Sequence, residues 1–210
     1  MKWHRCAKIA FVGSHGIRKA TACLSFATTM QRAGRSTELS REVVRYSPRS
    51  INENASAQDQ LWVMVSQIQQ ELELAPKAEV LVADRGVMDN FAYYWRACGD
   101  HDDFDLLPLV RNWSKTYDLV VRILPDMPIQ PDFEVTSTDE SFRADIEKIL
   151  DLWLPQLIEP PQLITLPASV VDAYNDWWSI AERLARIVGE PLVEAGSREA
   201  QNANLEFYPG

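Results

Sequence analysis

Short runs of apolar residues alternate along the chain with stretches in which apolar positions recur at helical spacing. Residues 8–12 predict a first strand, and the glycine-bearing turn after it opens a helix over about 19–33 that stops at Gly34. Residues 36–39 predict a short second strand. Ser56 is placed as the N-cap of a helix running to about residue 74, with Leu61, Val65, Ile68 and Leu72 on one apolar face. Residues 79–83 predict a buried strand ending at Asp84-Arg85-Gly86, and helical periodicity resumes over 89–98 and again over 104–117. Residues 118–124 and 162–166 predict two further strands. A helix over 172–188 closes the pattern, with Trp177, Ile180, Leu184 and Ile187 at core spacing.

Strands separated by helices predict right-handed βαβ units, and hence an α/β fold with a parallel sheet covered by helices on both faces. Ligands in such sheets sit at the carboxyl ends of the strands. Gly13 and Asp84 both fall at strand ends, so two separate chemical candidates converge on one edge. Residues 125–140 are proline-rich and polar, and predict a lid segment over about 125–143. Ser137 and Glu140 form a Ser-x-x-Glu capping box for a helix starting near Thr138. The expected organisation is one domain over residues 1–190 and a polar C-terminal tail over 191–210.

At 210 residues, 46% of them apolar and 24% charged, the chain has the composition of an ordinary globular protein with a sizeable core. A net charge of −9 argues against a broad nucleic-acid surface, because counterion release needs clustered cations. A local basic cleft for DNA stays open. The cations are skewed toward Arg, which suits bidentate phosphate contacts and equally fits a compositional bias. Cys6, Cys23 and Cys98 are odd in number and unpatterned, as expected of reduced thiols rather than disulfides or zinc ligands. No apolar run approaches the roughly 18 residues of a membrane span, and the N-terminus lacks the apolar stretch of a secretory signal. The expectation is a cytoplasmic protein without a membrane partner, in the host cytoplasm if the chain is phage-encoded.

Residues 13–21, Gly13-Ser14-His15-Gly16-Ile17-Arg18-Lys19-Ala20-Thr21, carry the most specific chemistry. A strand, a glycine turn and a lysine at a helix start are the layout of a phosphate-cradling loop. Glycine lets backbone N–H groups close around phosphate oxygens, and a mobile ammonium reaches the β- and γ-phosphates. Against G-x-x-x-x-G-K-[ST], Gly13 and Lys19 match, Arg18 replaces the second glycine and Ala20 replaces the Mg²⁺-binding hydroxyl. Thr21 and Ser14 are the nearest hydroxyls. Asp84, ending an apolar strand, is placed to hold Mg²⁺ or to accept a proton from an attacking hydroxyl, with an N-cap as the structural alternative. Arg85 beside it suits an acceptor or a phosphate. Asp89 is a candidate acceptor contact, with a place in the first turn of a helix as the structural alternative. Glu42 and Arg45 either grip acceptor hydroxyls or form a solvated turn.

Arg143, after the proline-rich segment, can swing onto transferring phosphates or stay exposed. Arg122, inside a strand, requires a carboxylate partner. Gln58, Gln60, Gln67, Gln69 and Gln70 crowd one helix, and most are expected to face water. Phe91, Tyr93, Tyr94 and Trp95 predict core packing, with base stacking as the alternative. The acidic run Asp100, Asp102, Asp103 and Asp105 around His101 predicts a helix-capping loop rather than a metal site.

Taken together, Phe11-Val12-Gly13-Ser14-His15-Gly16 with Lys19, Arg41-Glu42-Val43-Val44-Arg45, the 82–90 stretch Val-Ala-Asp-Arg-Gly-x-x-Asp-Asn, Tyr117-Asp118-Leu119-Val120 and the 137–143 stretch Ser-Thr-Asp-Glu-x-Phe-Arg resemble the small P-loop kinases. The likeness is to nicotinamide-riboside-kinase-like and deoxynucleoside-kinase-like members, with a degenerate Walker A loop, over roughly residues 7–188. The resemblance implies a three-layer P-loop NTPase fold with a lid. It also implies ATP and Mg²⁺ as cofactors, Lys19 as phosphate clamp, Asp84 as metal or base carboxylate, Arg85 and Glu42 as acceptor contacts, and Arg143 as a lid arginine. Such kinases often carry Asp-Gly-x-Arg ahead of the lid helix, where this chain has Asp132-Phe133-Glu134-Val135. The implied reaction moves the γ-phosphate of ATP to a hydroxyl of a nucleoside- or nucleotide-type acceptor. Two alternatives stand beside it: phosphorylation of 5-hydroxymethyluracil in DNA, as by some phage kinases, and a nucleotide-binding regulatory domain without catalysis.

Overall fold

Five strands, β1 (Ala7–Val12), β2 (Thr37–Ser40), β3 (Val80–Asp84), β4 (Leu119–Leu124) and β5 (Leu163–Pro167), lie parallel in one sheet in the order β2-β3-β1-β4-β5. The computed structural model describes residues 3–99, 101–129 and 137–192. Asp100, the 130–136 part of the expected lid with its Asp132–Val135 stretch, and the tail from 193 onward lie outside the described residues. Six helices connect and cover the strands: α1 (Lys19–Arg32), α2 (Ala57–Leu74), α3 (Val87–Ala97), α4 (Leu107–Ser114), α5 (Glu140–Leu157) and α6 (Trp177–Val188).

Alternation along the central strand creates two cores, because successive side chains point to opposite faces. Ile9 and Phe11 pack with Phe26 and Met30 of α1 and Leu184 of α6. Ala10 and Val12 pack on the other face with Met64 of α2, Phe91 of α3 and Ile146 of α5. The result is the three-layer α/β architecture that the strand–helix alternation predicts. Register pairs Phe11 with Asp84 and Val12 with Arg122, so β1 and β3 end together at one edge of the sheet, and β4 runs on to Leu124. Among the described residues no helix is long and apolar enough to cross a membrane. Cys6, Cys23 and Cys98 are free.

Several local expectations differ from the structure for identifiable reasons. On α2 the Ser56 cap holds: Ser56 Oγ accepts from Asp59 N–H, and the Asp59 carboxylate accepts from Ser56 N–H. The apolar stripe, however, forms only part of the inner face: Leu61 and Ile68 pack against the core, and the other two positions do not. Val65 is 51% and Leu72 60% exposed, while Gln60, Gln67 and Glu71 are buried. A buried charge dictates that rotation. The Glu71 carboxylate pairs with the Lys8 ammonium at 2.6 Å and accepts from Tyr117 Oη (2.6 Å), Trp113 Nε1 (2.9 Å) and Gln67 Nε2 (2.9 Å). Satisfying a buried ion outweighs burying two more aliphatic side chains.

The 137–140 capping box does not form either. Asp139 caps α5 by accepting from Ser141 and Phe142 N–H, while the Ser137 hydroxyl bonds Glu53. Residues 168–173 make a 3-10 turn, so α6 begins after its Asp176 cap, and Ile187 is 40% exposed.

Candidate active site

The turn after β1 is shaped by what it cannot hold. Gly13 sits at φ 148°, and a Cβ there would lie 2.4 Å from Ile17 Cδ1 and 2.6 Å from the Ile123 carbonyl oxygen. Arg18, at φ 62° and ψ 26°, adopts the left-handed conformation normally given to the second glycine. The loop therefore keeps its path without that glycine. The Arg18 guanidinium is held by Asp172 from the turn before α6.

No backbone N–H from residues 15–21 donates a hydrogen bond among the described residues. The first N–H groups of a helix have no internal acceptors, and α1 has no side-chain cap. A loop of inward N–H groups at a helix head is an anion cradle. The first two loop donors, by contrast, are taken. Gly13 N–H donates to Asp89 Oδ1 at 2.7 Å and Ser14 N–H to Glu147 Oε1 at 2.9 Å. The second Asp89 oxygen accepts from Gly86 N–H at 3.0 Å, and the residue is wholly buried. Asp89 is thus a brace between the loop and the head of α3. Each of its oxygens accepts one backbone N–H there. Glu147 also bonds Arg122, which meets Asp151 at 3.3 Å, supplying the strand arginine with carboxylates.

Lys19 is buried, and its ammonium donates to the Ser14 carbonyl across the loop. Burial and the Arg85 cation press its pKa down, with Asp89, Glu42 and Asp84 opposing them. Ala20 and Thr21 are exposed on the first turn of α1, whereas Ser14 is buried with its hydroxyl unpartnered. Thr21 is therefore the exposed hydroxyl of the loop.

Asp84 ends β3 and does not cap α3, whose N-cap is Gly86. Burial and the nearby Glu42 push its pKa up to about 6. Arg85 is strained at φ 84°, bonds Glu42 through Nε, and stands 4.9 Å from the centre of the Tyr93 ring. Burial would raise Glu42, yet Arg85, Lys19 and Arg45 bring its pKa down to about 2, with Arg45 Nε at 3.1 Å. Glu42 is thus a fixed anion, and Asp84 is a carboxyl poised near neutrality.

A cleft opens beside these groups, lined among others by His15, Glu42, Gln60, Arg85, Asn90 and Tyr93. The structure brings the loop, Lys19, Asp84, Arg85, Glu42 and Arg45 together. His15, placed in the cofactor loop by position alone, turns out to line the cleft. Arg143 does not line it. Its guanidinium bonds the Met127 carbonyl at 3.0 Å and pairs with Glu140, although its charge reaches His15.

Sequence reasoning missed Glu147, whose carboxylate shares a turn of α5 with Asp151 opposite a strand arginine. It also missed the inward rotation of Gln60 and Gln67. Tyr94 and Phe91 pack in the core as expected, and Tyr93 reaches the cleft. The Asp102 carboxylate accepts from Leu106 and Leu107 N–H at the head of α4, the helix-capping role expected of that acidic run. Among the described residues no group of three or more acidic, His or Cys side chains forms a metal cluster.

A family model described as AAA domain matches residues 8–164. No curated protein matches the chain. Among solved structures, NadR in complex with NR superposes with a TM-score of 0.61 at 16% identity, covering 90% of this chain and 54% of that one. NadR with NAD and AMP-PNP gives 0.57 at 16%, with 90% and 51% covered, so this chain spans about half the length of the NadR chains. A deoxyadenosine kinase from M. mycoides, with products dCMP and dCDP bound, gives 0.57 at 15% identity, with 85% and 99% covered. A thymidylate kinase from Ehrlichia chaffeensis gives 0.60 at 13%, with 84% and 99% covered. The fold of this chain is that of the P-loop kinases.

Proposed function

This chain belongs to the AAA domain family, and we propose that it is an ATP-dependent phosphotransferase acting on a hydroxyl of a nucleoside- or nucleotide-type acceptor. One observation carries the reading: a loop whose N–H groups have no acceptor within the described residues, with a buried lysine at its end, lies beside a poised carboxyl and a cleft lined by a Glu–Arg pair. A polyphosphate and a hydroxyl acceptor would meet where these two parts touch. The superposed structures with NR and with dCMP support the acceptor class by analogy of fold.

In this reading Lys19 exchanges the Ser14 carbonyl for phosphate oxygens when nucleotide enters. The acceptor oxygen forms its bond to the γ-phosphorus as the bond to the bridging oxygen breaks, and ADP leaves with that electron pair. The hydroxyl proton passes to Asp84, whose pKa of about 6 suits a base operating near neutral pH. Arg85 and Glu42, with Arg45 behind them, orient the acceptor, and Arg143 reaches the transferring group only by leaving Glu140. In place of that base role, Asp84 would hold Mg²⁺, since burial and the neighbouring Glu42 leave its negative charge in need of a counter-ion. Phosphate oxygens and water would complete its shell, since Ala20 offers no hydroxyl. When bound, the ion neutralises charge on the β- and γ-phosphates.

The test is ATP consumption against free nucleosides, nucleotides and duplex DNA carrying 5-hydroxymethyluracil, with Lys19→Ala in parallel. Turnover is expected with a nucleoside or nucleotide, and the variant should bind ATP about 100-fold more weakly. Turnover on the DNA alone would move the acceptor to a base in a duplex. Tight ATP binding without turnover on any acceptor would leave a non-catalytic nucleotide-binding domain.

A further inference from the structure

Two buried groups on the wall of the acceptor cleft lack partners. His15 and Asn90 are 5% and 2% exposed, both line the cleft, and neither His15 Nε2 nor Asn90 Nδ2 has a hydrogen-bond partner. Buried polar atoms in native proteins are nearly always paired, so two orphans on one cavity wall mark where a ligand supplies what is missing. The buried Gln60 side chain lies on the same wall.

The His15 ring is fixed from two sides. Its Nδ1 lies 3.0 Å from Tyr93 Oη, and its face stacks on Phe142 at 5.3 Å and 27°. Tyr93 in turn stands against the Arg85 cation. A phenol oxygen beside a cation turns its lone pairs toward it and its proton away, so Tyr93 donates to His15 Nδ1. That leaves the imidazole proton on Nε2. Burial, with Arg85, Lys19 and Arg143 nearby, holds the ring neutral by bringing its pKa down to about 3. His15 therefore presents an N–H donor and no base, and Asn90 Nδ2 presents a second donor.

The charges of the cleft are already matched, Glu42 against Arg85 and Arg45. What the wall lacks is oxygen lone pairs. His15 is also the third residue of the loop, so it stands at the junction between the phosphate cradle and the cleft.

We propose that His15 and Asn90 read the acceptor: Nε2–H and Nδ2–H donate to uncharged oxygens, hydroxyl or carbonyl, on the part of the acceptor next to the attacking hydroxyl. The assignment rests on the phosphotransferase reading for its ligand, while its observables are separate. The experiment is a long-range ¹H–¹⁵N spectrum of the histidine rings, titrated separately with a panel of ribo- and deoxynucleosides and with AMP-PNP. The His15 ring should show the Nε2–H tautomer in the free protein, and Nε2 should move with a nucleoside rather than with AMP-PNP. His15→Ala should lower kcat/KM for the acceptor by about 10- to 100-fold while leaving AMP-PNP affinity within about threefold. His15→Gln, which keeps an N–H donor, should recover part of the loss. Tyr93→Phe, which keeps the aromatic ring, should abolish the tautomer preference and cost about tenfold, and it serves if His15→Ala does not fold.

The proposal is overturned if no nucleoside moves Nε2, or if His15→Ala weakens AMP-PNP and leaves acceptor kinetics intact. A nucleoside that binds and shifts Nε2 without being phosphorylated refutes the phosphotransferase reading and upholds His15. Phosphorylation with a silent His15 does the reverse.

Discussion

Replacing Asp84 with Asn should make the protein more stable at pH 8 while stopping phosphate transfer. The carboxyl lies at the end of β3, 7% exposed, and its pKa stands at about 6 against an ordinary 3.8. That difference is about two units, and at about 1.4 kcal/mol per unit the ionised form costs the folded state roughly 3 kcal/mol. Between pH 4 and 6 the native protein holds the Asp84 proton more tightly than the unfolded chain does. Wild-type stability therefore falls as pH rises through that window and levels off above it. Asparagine does not titrate, so its advantage should be near zero below about pH 4 and reach about 1–3 kcal/mol at pH 8. The attraction to Lys19 that the variant gives up is already contained in the shifted pKa. Urea unfolding of both proteins at pH 4, 6 and 8 measures the difference, and ATP turnover at the same pH values measures function. Wild-type turnover should decline as pH falls and Asp84 protonates. An Asn variant less stable than wild type at pH 8, or one whose advantage does not change with pH, would refute the burial argument. Unchanged turnover would remove Asp84 from the chemistry.

Three further variants probe the frame around the site. Gly13→Ala should lose nucleotide binding and at least about 2 kcal/mol of stability by urea unfolding, because the added Cβ meets Ile17 at 2.4 Å and the Ile123 carbonyl at 2.6 Å. Glu71→Gln leaves the Lys8 ammonium without its counter-charge and should cost about 3 kcal/mol by urea unfolding, and a loss under 1 kcal/mol would contradict the pairing. Arg18→Gly relieves a left-handed residue, worth about 1–2 kcal/mol, but loses a half-exposed pair with Asp172 and gains unfolded-chain entropy. Its stability should stay within about 1 kcal/mol of wild type by urea unfolding, and a larger loss would mean that the Arg18–Asp172 contact holds the loop.

The order and type of the elements were legible because each strand is a short apolar run bounded by turn residues, and because Lys19 and Asp84 each stand where a strand gives way to a turn. The phosphate loop could be read through its missing glycine, since Arg18 adopts the conformation the motif requires. The orientation of α2 could not be read. Its inner face is chosen by Lys8, 63 residues before Glu71 and on a different element, and hydrophobic periodicity carries no information about such a partner. The same limit hid Glu147, whose role depends on a backbone N–H 133 residues away. Asp89 was ambiguous for a different reason. A carboxylate in the first turn of a helix can serve a cap or a substrate, and no local pattern reveals its contact with Gly13, 76 residues away. His15 could be placed in the loop by spacing, but the direction of its ring depends on Tyr93 and Phe142, which no local pattern links to it.

The three strands that supply Gly13, Asp84 and Arg122 are the three innermost of the five, with β2 and β5 outside them. The candidate site is therefore mounted on the part of the sheet most costly to open, and fraying at either edge leaves it intact. Heating should consequently extinguish nucleotide capture and tertiary structure in one cooperative step. An occupant of the loop would delay that melting for the entire sheet, in proportion to how tightly it is gripped.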